Sequence, residues 1–247
     1  MRKFFQTQWH DIAFSSFHSI NSKSLPSSEF YNEFYSYLFK RYASYDKLDW
    51  HWRRNKDEIA DWLAAYLKDG DRILSIGCGL GYVESRLCQC DRIELHVQDY
   101  ATNALNWLRQ VLPANKIHDA KEMFGDSNIG KFNLIYLLAV DYAISTNELI
   151  SFLRKSRELL VDGGQLIMIS ESFLEGYTGR QFVYKTKDFL FWFLCTIGIR
   201  KSGQFWGWMR TKQEYHSIMS LAGLNNVTDG FIETLHQRKY WIKGMAQ

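Results

Sequence analysis

Proline is nearly absent from the 247-residue chain, which has only Pro26 and Pro113, and cysteine is sparse at four. So little proline leaves long stretches free to run as uninterrupted helix or strand and excludes a proline-rich linker. Cys78, Cys88, Cys90 and Cys195 lie in segments of different pattern, without zinc-site or disulfide-framework spacing, so no metal is expected and a reducing compartment fits. Charge of one sign is lacking too. Thirty Lys and Arg against 27 Asp and Glu leave an interspersed net charge of +3, too mild for a nucleic-acid footprint, and no nucleic-acid partner is expected. Long apolar runs are missing: the most apolar stretch, Phe189 to Ile199, is bounded by Asp188 and Arg200-Lys201 and falls short of the about 20 residues of a membrane span. It reads as a lid or core helix, with a membrane-surface helix as the alternative. The start, Met1-Arg2-Lys3-Phe4-Phe5, is basic but has no apolar stretch of the about 7–15 residues a secretory leader needs. The expected location is cytoplasmic, with peripheral membrane contact through 189–199 left open.

Aromatic residues, at 16%, are what the chain has in excess. Many sit in an N-terminal stretch, 1–53, that lacks strand–helix alternation. There Phe30, Phe34, Tyr35, Tyr37, Leu38 and Tyr42 recur at three- and four-residue spacing, which predicts a cap helix with a broad aromatic face. Ile59, Trp62, Leu63, Tyr66 and Leu67 then mark an amphipathic helix that ends at Gly70. Alternation follows: strand Arg72 to Ile76, helix Tyr82 to Leu87, strand Ile93 to Val97, helix Ala101 to Leu112, and a weak strand at Lys116-Ile117-His118. Strand Phe132 to Val140, helix Asn147 to Leu160 and strand Gln165 to Ser170 continue it. The pattern predicts an α/β fold, a doubly wound, mostly parallel sheet over 54–247 with helices on both faces. An insertion over 172–209 reads as a lid, Lys212 to Leu221 as a last helix, and Val227 onward as one or two terminal strands.

Gly77-Cys78-Gly79-Leu80-Gly81 lies between the first strand and its helix, where missing side chains allow a sharp turn and close ligand approach. The third glycine comes two residues after the second, one fewer than in the dinucleotide pattern G-x-G-x-x-G. Asp99 closes the second strand, where a carboxylate can accept from ribose hydroxyls. Asp119-Ala120 follows the third, and Leu160-Val161-Asp162-Gly163-Gly164 precedes the fifth as a tight turn.

Taken in order, these residues resemble the class I S-adenosylmethionine-dependent methyltransferases, a Rossmann-like, seven-stranded family, from about Arg72 to Ser170. The resemblance implies S-adenosylmethionine as cofactor, with S-adenosylhomocysteine as product. It places Gly77, Cys78, Gly79 and Gly81 beneath the methionine part, Asp99 on the ribose, and Asp119 with Ala120 at adenine. Asp162 stands where the family usually has proline, and Asn133 where an aspartate is usual. Arg53 and Arg54 are candidates for the cofactor carboxylate, set against surface arginines.

Methyl transfer needs alignment and the loss of one proton, so few residues are obligatory. Asp141 and Glu171, at the ends of the fourth and fifth strands, are the candidates for catalysis, with Tyr142 beside Asp141 as a further base or orienting group; Asp141 is set against a role as helix cap and Glu171 against a surface pair. His51, His118, His216 and His236 are weaker. The family's amino-methylating signature, Asn- or Asp-Pro-Pro-aromatic, is replaced by Ala139-Val140-Asp141-Tyr142, and no Pro-Cys pair occurs. The leading expectation is O-methylation of a small molecule or glycan, loosely like the enzymes of surface-polysaccharide pathways. Trp206 and Trp208 could stack on the acceptor and Arg210 meet an anionic group. An aromatic or isoprenoid-lipid acceptor, a nicotinamide-dependent oxidoreductase, and a non-catalytic binding module are the alternatives.

Overall fold

Alternate residues of the central strands face opposite layers, and each layer is covered by helices the sequence supplies. In a computed structural model the described residues are 2–120, 123–125, 129–175, 190, 193, 194, 197, 203–235 and 237–247. The strands are β1 (Arg2–Gln6), β2 (Gln8–Trp9), β3 (Ile12–Ala13), β4 (Arg72–Ile76), β5 (Glu94–Asp99), β6 (Ile117–Asp119), β7 (Phe132–Leu138), β8 (Leu160–Ser170), β9 (Gln204–Met209), β10 (Asn225–Glu233) and β11 (Arg238–Met245). The helices are α1 (Ser28–Arg41), α2 (Trp50–Ala64), α3 (Tyr82–Leu87), α4 (Thr146–Glu158) and α5 (Lys212–Leu221). Seven strands form one sheet in the order β10-β11-β8-β7-β4-β5-β6. β4 to β8 run parallel, and β10 and β11 close the edge antiparallel, so the sheet is the mostly parallel one expected.

Leu74, Ile76, Ile135, Leu137, Leu166 and Met168 face one layer, with Leu149 and Leu153 of α4 and Ile218 and Met219 of α5. Ile73, Leu134, Tyr136, Ile167 and Ile169 face the other, with Ile59 and Leu63 of α2 and Val83 and Leu87 of α3. This two-sided burial is why the strands read as continuous apolar runs. Helix starts are set by local donors and acceptors: Asp49 accepts from the Trp52 N–H at 2.7 Å, and Ser145 with Glu148 and Thr211 with Glu214 form capping boxes.

The N-terminal residues form an aromatic cap. Trp206 stacks on Phe14 with centroids 5.6 Å apart and meets Trp9, Phe30 and Tyr31 edge-on. β1 pairs antiparallel with β9, joining the two ends of the chain's unalternating segments. Gln204, fully buried, accepts from the Asn21 N–H at 2.8 Å and donates to the Ser24 carbonyl at 2.9 Å.

Three expectations need correction. Ala101 to Leu112 is not one helix but successive 3₁₀ turns, Thr102–Asn106 and Leu108–Gln110. Asn103 is tied to α1 there, its N–H donating to Asn32 Oδ1 at 3.1 Å and its amide to Ser36 Oγ at 3.1 Å, and such side-chain bonds compete with the helical ladder. β7 ends at Leu138, because Ala139 takes φ 57°. Asp162-Gly163-Gly164 lies inside β8, as an irregularity in its pairing with β7, not as a turn ahead of it. Asn133 uses its side chain on the neighbouring strand, Oδ1 accepting from the Arg72 N–H at 2.9 Å.

Of the apolar run 189–199 the described residues are Leu190, Phe193, Leu194 and Ile197, and Leu190, Phe193 and Ile197 are exposed. The rest of that run, residues 176–189 of the expected lid, and His236 lie outside the described residues. Among the described residues no helix is long and apolar enough to cross a membrane.

Candidate cofactor and acceptor site

The strand order reverses between β4 and β7: from β4 the chain builds outward through β5 and β6, then returns to lay β7 and β8 on β4's other side. Loops leaving β4 and β7 therefore diverge and open a crevice at the carboxyl ends of the strands. Gly77, Gly79 and Gly81 fill that position with φ 70°, 57° and 71°, a region that strongly favours glycine. Space reinforces the choice at two of them. A Cβ on Gly77 would meet Val140 Cγ2 at 2.4 Å, and one on Gly81 would meet Leu108 Cδ1 at 2.1 Å. The Tyr45 hydroxyl donates to the Leu80 carbonyl at 2.6 Å and braces the loop from the cap side.

Asp99 holds the same loop from the sheet side. Its Oδ2 accepts from the Gly79 N–H at 2.7 Å and its Oδ1 from the Ala101 N–H at 2.8 Å. Burial pushes its carboxyl up to about 6 against those hydrogen bonds. Asp119 pairs in register with Asp99 on the neighbouring strand, and Ala120 follows at the cavity wall. The cavity has a volume of about 1130 Å³ and takes in the whole loop Gly77–Gly81, Asp99 and Ala120. Trp9, Tyr31, Trp52, Tyr142 and Trp206 line it as well. Burial raises the Cys78 thiol well above its usual range, which leaves it a neutral wall group.

The two catalytic candidates fare differently. Asp141 is 1% exposed and does not line the cavity. Its Oδ2 accepts from Ser170 Oγ at 2.9 Å and from the Tyr215 hydroxyl, while Arg210 Nη1 donates to its main-chain carbonyl at 2.6 Å. Burial raises its pKa, with those hydroxyls and the Arg210 charge opposing. Glu171 does line the cavity, with 27% of its side chain exposed. It accepts from Lys56 Nζ at 3.2 Å and from Lys239 Nζ, and these two cations overcome its burial and hold its pKa at about 2. A carboxylate so acidic is a poor proton acceptor at neutral pH. Arg210, buried at 1%, donates its second nitrogen to the Ile144 carbonyl at 2.5 Å and is turned away from the cavity, so it does not await an anionic acceptor. Arg53 and Arg54 are not in the lining either: Arg53 Nε donates to the Leu48 carbonyl and Arg54 pairs with Glu58. His216 pairs with Asp229, and His118 on β6 contacts His96 on β5, none of them in the cavity lining.

A family model described as a methyltransferase domain matches residues 49–230. The chain belongs to that methyltransferase family. No curated protein matches the methyltransferase in sequence. Among solved structures, magnesium protoporphyrin IX methyltransferase from Synechocystis PCC 6803 with bound S-adenosylhomocysteine is 16% identical with a TM-score of 0.59, covering 89% of this chain and 97% of that one. A protein of Nostoc punctiforme PCC 73102, described provisionally as an O-methyltransferase, is 16% identical at TM-score 0.59, over 94% of this chain and 65% of that one. A Methanosarcina mazei methyltransferase is 14% identical at 0.56, over 75% and 96%. At these identities the likeness is one of fold.

Three charged residues lining the methyltransferase's cavity went unnamed in the sequence: Lys56, Glu84 and Glu148, the last of which also caps α4. Lys56 sits on α2, two residues beyond the suspected Arg54, with Nζ 5.9 Å from the Trp52 ring centroid. Glu84 sits on α3, 2% exposed, and accepts from Ser75 Oγ at 2.5 Å and from the Tyr136 hydroxyl at 2.7 Å. The signal available for Lys56 was its place on the cavity side of a helix entering β4. Glu84 had no signal beyond a carboxylate three residues after a helix-opening glycine.

Proposed function

We propose that this methyltransferase takes its methyl group from S-adenosylmethionine and delivers it to an oxygen of a small-molecule or glycan acceptor bound against the cap. The observation that carries the reading is one cavity whose lining combines the glycine loop, Asp99 and Ala120 with the aromatic rings of Trp9, Tyr31, Trp52, Tyr142 and Trp206. The residues present suit the donor. The glycines let Val140 and Leu108 pack directly against the loop and hold its tight turn, and Asp99 offers the carboxylate that ribose hydroxyls need as acceptor. The bound donor supplies an activated sulfonium methyl, and the protein's work is alignment.

Gly77, Cys78, Gly79 and Gly81 would form the floor, Asp99 the ribose acceptor, and Asp119 with Ala120 the adenine edge. Tyr142 and Trp206, with near-parallel rings 6.1 Å apart, offer an apolar face to the acceptor. Asp141 acts through its neighbours, fixing the turn that carries Tyr142. Glu171 acts by charge, holding Lys56 and Lys239. The same rings favour aromatic acceptors as a second reading, with an isoprenoid lipid less supported. The experiment is a methylation screen of sugar, phenolic and lipid acceptors with labelled donor, read by mass shift. Transfer to a sugar or small-molecule hydroxyl supports the first reading; transfer only to phenols or lipids replaces it with the second. Transfer only to nitrogen or carbon would overturn the O-methylation.

A further inference from the structure

Tyr31 brings a hydroxyl to the cavity from α1 with nothing beside it to receive its proton. The ring is fixed, edge-on to Phe30 and Trp206 and stacked on Tyr35 one helical turn away. It lines the cavity, and its hydroxyl has no hydrogen-bond partner among the described residues. Burial raises the phenol well above its usual range, and Tyr142 and then Asp99 add to the rise. The group therefore stays protonated, near both the ring offered to the acceptor and the carboxylate offered to the ribose. An unpartnered donor of this kind recovers its lost hydrogen bond when a ligand supplies an acceptor atom, and most when that atom is charged.

The proton of the acceptor points the same way. Transfer to an alcohol needs a group to take that proton. The carboxylates that act on Tyr142 are Glu171, Asp141 and Asp99, and each is engaged. Against its burial, Lys56 and Lys239 hold Glu171 at about 2, so it takes no proton, and its charge is already met. Asp141 stands outside the lining, bonded to Ser170 and Tyr215. Asp99 accepts from the N–H groups of Gly79 and Ala101. An acceptor that arrives ionised needs no base. Joining an anion to a sulfonium also removes both charges, and the rings of Trp9, Trp52, Tyr142 and Trp206 favour that step by solvating neither charge beforehand. We propose that the acceptor is the carboxylate of an apolar small molecule, gripped at one oxygen by the Tyr31 hydroxyl and methylated at the other to give a methyl ester. The free oxygen's electron pair forms the new C–O bond, the methyl–sulfur bond breaks, and its electrons return to sulfur, leaving a neutral thioether and no proton to remove. The inference rests on the S-adenosylmethionine reading and narrows the acceptor oxygen within it.

The test supplies methyl-labelled donor to the full chain with matched acceptors: cinnamate against cinnamyl alcohol, indole-3-acetate against tryptophol, palmitate against hexadecanol, and a small-molecule cell extract. Mild alkali separates the products, because a methyl ester releases labelled methanol and a methyl ether does not. Alkali-labile label in a carboxylate or in the extract is the expected result. Label that resists alkali, or no label in any of these from a chain that binds S-adenosylhomocysteine, overturns the proposal. A chain that does not bind S-adenosylhomocysteine brings down the cofactor reading itself. With the best carboxylate, kcat at saturating donor should be level between about pH 7 and about 9, since a carboxyl group of pKa about 4 is ionised throughout. A rise of about tenfold per pH unit in that window means that a proton must leave, and overturns it. Tyr31→Phe should raise KM for the carboxylate by roughly ten- to a hundredfold, the scale of one hydrogen bond to a charged group. Its kcat should be unchanged or higher, because the bonded charge fades in the transition state. Affinity for S-adenosylhomocysteine should stay within about twofold. An unchanged KM, or an equal loss of S-adenosylhomocysteine affinity, overturns the role of Tyr31.

Discussion

Replacing Gly81 by alanine adds one methyl group at a position with no place for it. Gly81 caps α3 at φ 71° and ψ 25°, where a side chain costs about 1–2 kcal/mol. The new Cβ would stand 2.1 Å from Leu108 Cδ1 and 2.2 Å from Leu108 Cγ, far inside contact distance. Leu108 is fully buried and cannot swing into solvent, so the overpacking adds about 1–3 kcal/mol. Gly81→Ala should therefore cost about 2–5 kcal/mol, read as a lower urea midpoint at unchanged slope. The two components separate in a double-mutant cycle. Leu108→Ala alone costs about 2–5 kcal/mol by leaving a cavity, but it also makes room, so the double variant should be about 1–3 kcal/mol more stable than the sum of the two. The backbone component should remain in the double variant. A loss below about 0.5 kcal/mol for Gly81→Ala, or strict additivity with Leu108→Ala, would refute the reasoning that steric closure selects glycine here.

Asp99→Ala should weaken S-adenosylhomocysteine binding by about 1.5–3 kcal/mol in titration calorimetry, and an unchanged affinity would remove Asp99 from the ribose. Because burial raises the Asp99 carboxyl from 3.8 to about 6, its own contribution to stability falls as pH rises between those values. Ribose hydroxyls favour its anion, so affinity should be full above that upper value and weaken about tenfold per pH unit below it. Glu171 shows the opposite sign: lowered from 4.5 to about 2 by Lys56 and Lys239, it stabilises the fold above its unfolded value and loses that contribution as pH falls toward the lower one. Glu171→Gln should flatten this acid limb in melting curves without raising affinity for the adenosine half of the donor. Asp141→Asn should lower stability by about 1–3 kcal/mol in urea unfolding, because it disturbs a buried acceptor of two hydroxyls, with KM for the donor unchanged.

What could be read in the sequence is what depends on near neighbours in the chain. The glycine loop, the strand before it and the helix after it lie within 72–87, and their spacing carries the backbone geometry directly. Strands buried on both faces announce themselves as apolar runs. Partners far apart in the chain were not legible. β1 pairs with β9, and Gln204 is held by Asn21 and Ser24, contacts that neither segment's pattern encodes. The stretch 101–112 has helical spacing but spends Asn103 on α1, so tertiary contacts outweigh its local preference. Asp141 stands at the expected strand end, yet the sequence could not say which way its carboxylate turns. Ser170 and Tyr215 settle that direction by bonding the carboxylate, and they come from β8 and α5. Lys56 shows the converse: one lysine among many becomes a cavity residue only when α2 is packed on β4.

The measurement closest to the central claim is titration of the purified chain with S-adenosylhomocysteine and, separately, with NADH. The cavity built by Gly77, Gly79, Gly81 and Asp99 predicts micromolar binding of S-adenosylhomocysteine, none of NADH, and loss of the former in Asp99→Ala. Binding of NADH in place of S-adenosylhomocysteine would contradict it.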